Sequence, residues 1–179
     1  LLVKMIKQDF DLLKHKNISQ ACFKPLITIY KNRIAAQTSV TEMKEKFYEE
    51  LSDGQRALFM FYAYYNHVIR SPVELYWWSA NFMAQPKSWS AIKASIEYFD
   101  DQSMLILLTN VESVLIAHDH PNTLKNFSVK REDLEQNNGL KTSFNSFYES
   151  LVNSSAEMIC RINRYIKDHH QHFIEFEDF

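Results

Sequence analysis

The chain has 179 residues, enough for one domain with a substantial core, and 46% hydrophobic against 23% charged residues excludes a disordered chain. It contains only two glycines, Gly54 and Gly139, too few for the many tight turns of a sheet protein. The net charge of −2 gives no global reason to expect nucleic acid, although residues 1–40 carry seven Lys/Arg against two Asp/Glu.

In chain order, Leu2, Ile6, Phe10 and Leu13 recur at helical spacing, predicting a helix within a basic segment, residues 1–38. "FKPLITIYKNRIAAQ" suits a helix with Pro25 in its first turn. "LITIY" is also strand-like, but nothing nearby supplies a partner strand. Three Ser-x-x-Glu/Gln capping boxes follow, at Ser39–Glu42, Ser52–Gln55 and Ser71–Glu74. The second opens a helix apolar on every side from Ala57 to Tyr65, which predicts burial all round. The third, with Pro72 at the first helical position, predicts a helix from Pro72 to Met83, stopped by Gln85-Pro86.

Trp89, Ile92, Ile96 and Phe99 mark the inner face of the next helix. Asp100 or Asp101 caps another, with Met104, Leu108, Val111 and Leu115 inward and "HDHP" closing it. Residues 119–139 form a polar connection with a possible helical turn in "KREDLEQ". Phe144, Tyr148, Leu151, Ser155, Met158, Ile162 and Ile166 then predict a long C-terminal helix, with "VNSS" a candidate bend and "HFIEFEDF" a candidate extended tail. The expected architecture is all-α: a single-domain bundle of about seven helices.

Cys22 and Cys160 suit buried free thiols in a reducing compartment. No run reaches the ~20 apolar residues of a membrane span, and no signal peptide is visible, so the expected location is cytoplasmic. There is no nucleophile elbow, P-loop or dinucleotide fingerprint, so no catalytic residue and no cofactor are assigned.

The candidate surface is aromatic. Tyr76, Trp77 and Trp78 lie 100° apart on one helix and cannot all face one core. Trp78 is expected inside. Trp77 with Asn81 forms a half-exposed edge, and Asn66, His67, Arg70, Glu74 and Tyr76 complete the candidate partner-binding set. Against it stands the plain reading of helix caps and weak ion pairs. An alternative is a metal-dependent enzyme using His118, His120, His169, His170 and His172, though these lack the i, i+4 spacing of a helical zinc site. Another is nucleic-acid binding through the basic residues 1–40, with Lys7, Lys14 and Lys16 as the lysines whose substitution tests it.

"LSDGQRALFMFYAYYNHVIRSPVELYWWSAN" and the long helix "FNSFYESLVNSSAEMICRINRYIKDHHQHF" resemble the DNA-mimic protein 19 family of small helical bacterial proteins, over about residues 45 to 175. The resemblance implies an all-helical fold and action by binding rather than catalysis. Arg70-Ser71-Pro72 stands where that family usually has a glycine turn. The weak net charge does not supply the acidic surface that mimicry of DNA needs. The expected function is therefore a non-catalytic helical interaction module whose partner is another protein.

Overall fold

The computed structural model describes residues 3–13, 17–36 and 39–177. Leu2, Lys14, Lys16, Gln37 and the last two residues of "HFIEFEDF" lie outside the described residues. The fold is all-α, with nine α-helices among the described residues and one two-stranded sheet. The chain forms two compact units, Leu1–Phe59 with Glu157–Phe179, and Met60–Ala156. Helices α4 (Asp53–Val68) and α9 (Asn138–Asp168) each run from one unit into the other.

The first unit opens differently from the expected helix. Val3–Ile6 is strand β1, and only Lys7–Leu12 is helical, as α1. The cause is non-local: β2, Ile174–Glu177, pairs with β1 in parallel, Val3 opposite Ile174 and Ile6 opposite Glu177. The acidic-aromatic tail is therefore extended, as its alternation suggested.

Helix α2 runs Ile18–Ala36, so Pro25 is in its interior rather than its first turn. The true start is held from far away: the Ser19 backbone N–H, one of the N-terminal donors without a helical partner, donates to Oδ1 of buried Asn163 at 2.8 Å. No local signal announces that cap. Ser39 does occupy the N-cap of α3, Val40–Glu49, but its side chain makes no capping bond. Cys22 is buried, and burial pushes its thiol up to about 12. Cys160, expected to be buried, is exposed on α9.

The Ser52–Gln55 box is made in full. Gln55 N–H donates to Ser52 Oγ at 3.2 Å and Ser52 N–H to Gln55 Oε1 at 3.1 Å. The same Gln55 side chain donates from Nε2 to the Phe173 carbonyl at 3.1 Å, and the Ser52 hydroxyl donates to the His172 carbonyl. Gly54 permits this approach: a Cβ there would meet the His172 oxygen and the Phe173 ring, both at 2.9 Å.

In the second unit, α5 (Pro72–Met83), α6 (Pro86–Tyr98) and α7 (Gln102–Ala117) pack on one another. The Ser-Pro start and Gln-Pro stop of α5 fall where the sequence placed them. Ser71 Oγ accepts from Glu74 N–H at 3.2 Å, but the Glu74 carboxylate does not reach back, being engaged elsewhere. Trp89, Ile92, Ile96 and Phe99 are buried, as are Met104, Leu108, Val111 and Leu115. The stretch Ala57–Tyr65 of α4 is buried except for partial exposure at Ala63 and Tyr65.

Helices α6 and α7 end alike. Asp100 and Asp119 sit in the left-handed region, φ 53° and 56°. The following residue's N–H then turns back to the helix, Asp101 to the Ile96 carbonyl and His120 to the Leu115 carbonyl. Glycine usually fills this position. Here aspartate does, which is how a chain with two glycines closes its helices; Asp101 then caps α7 by accepting from Met104 N–H at 2.9 Å. The connection contains a 3-10 turn at Leu124–Asn126 and one turn of helix, α8, at Asp133–Gln136, anchored by buried Leu134. Helix α9 continues unbroken through "VNSS".

Candidate functional site

The aromatic edge lies within the second unit, and its order differs from the expected one. Tyr76 is the interior residue, 1% exposed; Trp78 and Trp77 are both half-buried. Tyr76 packs edge-on against Phe144 at 5.2 Å, and its hydroxyl meets His120 Nε2 at 2.8 Å. Its ring therefore cannot belong to an open surface. Trp78, expected in the core, lies flat against His67, centroids 3.7 Å apart, and donates from Nε1 to Glu74 Oε2 at 2.8 Å.

Trp77 is roofed by the 119–139 connection. Its Nε1 donates to the Val129 carbonyl at 3.0 Å, Phe127 stands edge-on at 6.0 Å, and the Arg131 guanidinium lies 4.4 Å over its ring. Arg131 also grips Glu74 at both oxygens, at 2.6 and 3.0 Å. That bond holds the Glu74 carboxyl below the usual range and the Arg131 guanidinium above its own. The pair is part-exposed, so its charge attraction is screened. Its geometry matters more: it fixes the connection to α5.

The rest of the expected set is dispersed. Asn81 accepts from Gln85 Nε2 through Oδ1 at 3.1 Å and its carbonyl at 3.2 Å, Asn66 is half-buried, and Arg70 is exposed. Burial lowers the His67 pKa, with Arg70 adding to the effect, and its Nδ1 is buried without a hydrogen-bond partner. Arg131, Phe127, Val129 and His120 were not in the expected set. They come from 44 to 57 residues along the chain, and nothing in their local sequence points to α5.

His120 sits where the αL turn at Asp119 delivers it. Its Nδ1 is buried without a hydrogen-bond partner among the described residues, and the nearby Leu115 and His118 carbonyls favour the charged ring. The Tyr76 hydroxyl and Nε2 share one hydrogen bond, whose donor depends on the imidazole tautomer. Burial, with Asp133 adding to it, pushes the phenol up to about 12 and keeps its proton in place. Burial also lowers the His120 pKa, outweighing those carbonyls and Asp133.

The other histidines have separate surroundings. His118 is exposed. In the first unit His169 stacks on Tyr165 at 4.4 Å, His170 lies against Phe10 and Phe176, and His172 lies 6.0 Å from His169. Among the described residues, no group of three or more His, Cys, Asp or Glu side chains is placed to hold a metal ion.

A pH test follows from His67 and His120. Their folded pKa values lie below the unfolded value, so the unfolded chain binds more protons and stability rises with pH. The stability they contribute is complete above about 6.5 and is lost as pH falls below it. Urea midpoints should therefore drop between pH 7 and pH 5, and His120→Gln should flatten that slope. A midpoint constant over this range would contradict the assignment. Protonation of Glu74 acts separately, below the ordinary carboxylate pKa.

Comparison with protein-family models, with curated proteins and with solved structures finds no match. No helix among the described residues is long and apolar enough to cross a membrane.

Proposed function

We propose that this chain is a helical interaction module that binds another protein, and that its contact is the outer face of α7 rather than the roofed edge at Trp77. The observation that carries the reading is the chemistry of that face. Ile106 and Ile116 are 60% and 62% exposed, and between them lie Thr109, Asn110 and Ser113. No residue of α7 is charged except Glu112, which pairs with Lys93 at 2.8 Å.

The two hydroxyls on the face are already used. Thr109 donates to the Leu105 carbonyl and Ser113 to the Thr109 carbonyl, each at 2.9 Å. The two hydroxyls therefore add little to the desolvation cost of covering the face, a partner has to answer the exposed Asn110 amide, and lack of charge is the composition of interface centres. A partner presenting a similarly uncharged, apolar surface fits it. The resemblance to the DNA-mimic protein 19 family implies action by binding as well.

Ile106→Glu tests the reading, since an exposed position tolerates the change in the free chain. Wild type and variant, matched for thermal unfolding, are cross-linked and the captured proteins identified. The expected result is one protein bound by wild type at fixed stoichiometry, then reconstituted from pure components, with affinity at least about tenfold lower for the variant. Equal binding of the same proteins by both would remove α7 as the contact. A wild-type dimer that the variant dissolves would instead make the partner a second copy.

A further inference from the structure

Residues 127–131 of the connection lie on α5 as a peptide ligand lies on its site. Phe127 has extended backbone, φ −78° and ψ 107°, and residues 127–130 belong to no helix or strand. Three contacts hold the segment. The Trp77 indole donates to a main-chain carbonyl, that of Val129, at 3.0 Å. Phe127 stands edge-on to the same ring. The Arg131 guanidinium lies 4.4 Å over that ring and meets both Glu74 oxygens, at 2.6 and 3.0 Å. Each is a means by which proteins hold a separate peptide: a carbonyl bond that any sequence supplies, an aromatic neighbour, and a guanidinium matched by a ring face and a carboxylate.

The segment's other backbone bonds are local. Phe127 N–H donates to the Leu124 carbonyl, Lys130 N–H to Asp133 Oδ2 and Asp133 N–H to the Lys130 carbonyl. The hold on α5 is also shallow, since the Arg131 and Glu74 side chains are 42% and 21% exposed. Part-exposed ion pairs are weak, and segments with few buried contacts open at low cost. The ends of the connection are fixed better, by the buried Leu134 and by the bond between His120 and Tyr76. Lifting residues 127–131 therefore leaves both ends in place.

We propose that the Glu74–Trp77 edge of α5 is a peptide-binding site closed in cis by residues 127–131, and that its partner in trans is an extended peptide with an aromatic residue four positions before an arginine. Charge complementarity sets the arginine: the Glu74 carboxylate takes a guanidinium at both oxygens, which a lysine ammonium does not span. The tethered segment competes at a roughly millimolar effective concentration, so the closed chain resists a free peptide and loosening the segment admits one. This site does not rest on the α7 face, because none of its contacts involves a residue of α7.

The probe is a labelled peptide with the sequence of residues 125–133, "KNFSVKRED", added to the full chain. Its anisotropy is followed together with the indole N–H resonance of Trp77, identified by Trp77→Phe. Arg131→Ala opens the segment by removing the cis guanidinium, and Phe127→Ala gives a second opened chain; thermal unfolding checks that both fold. Each opened chain should bind the peptide saturably, at least about tenfold more tightly than wild type. Alanine in place of the peptide's arginine should weaken that binding at least about tenfold, and so should Glu74→Gln in the opened chain. The peptide change leaves the protein untouched, so a folding defect cannot imitate it. No saturable binding to either opened chain up to about 1 mM overturns the proposal and makes the segment a fixed part of the fold. Equal binding of a scrambled peptide of the same composition also overturns it, reducing the attraction to charge alone. Neither outcome bears on the Ile106→Glu experiment.

Discussion

Replacing Gln55 by leucine is expected to lower the unfolding free energy by about 2–3 kcal/mol, from the loss of one buried bond to the Phe173 carbonyl and one part-buried bond from Ser52 N–H. Gln55 is 0% exposed, and its amide joins two segments 118 residues apart. Its oxygen satisfies Ser52 N–H at the start of α4, and its nitrogen satisfies the carbonyl of Phe173 just before β2. Leucine fills the same volume and pairs with neither. Urea unfolding measures the loss. Amide exchange should show it concentrated at Ile174–Glu177, because β2 is anchored beside that carbonyl. A loss under about 1 kcal/mol would mean that water replaces both bonds.

The second large effect separates three adjacent aromatics. Tyr76→Ala is expected to cost about 4 kcal/mol, for a fully buried ring against Phe144 together with an unpaired His120. Tyr76→Phe keeps the ring and loses only the hydroxyl, about 1–2 kcal/mol. Trp77→Ala and Trp78→Ala should each fall below Tyr76→Ala, because both indoles are half-buried. Thermal and urea unfolding of the four variants give the order. If Trp78→Ala proved the costliest, the packing described around Phe144 would not be the dominant one.

That order also shows how far the sequence can be read. Helical periodicity placed α5, α6 and α7 well, since Ser71, Pro72, Pro86 and Asp101 act within a few residues of themselves. The 100° spacing showed that Tyr76, Trp77 and Trp78 could not share a core, but it could not say which one turned inward. That depends on Phe144 and His120, which are brought in by later segments. The Arg131 grip on Glu74 was hidden for the same reason, since "KREDLEQ" reads only as a turn of helix. At the N-terminus, the period of Leu2, Ile6 and Phe10 favoured a helix. The strand at Val3–Ile6 exists because "IEFE" pairs with it from the other side of the chain. Pro25 misled because the donor at the start of α2 is satisfied by Asn163 rather than by a neighbour.

The β1–β2 pairing has a consequence for biosynthesis. Val3 is made among the first described residues and Ile174 among the last, so at ordinary translation rates β1 waits about ten to thirty seconds for its partner. Through that interval its backbone donors and acceptors stay exposed, while the contacts of Met60–Ala156 can already form. The strand pair is therefore the last of the described elements to gain both of its partners. Until then the first segment is an open edge that a chaperone or another nascent chain can reach.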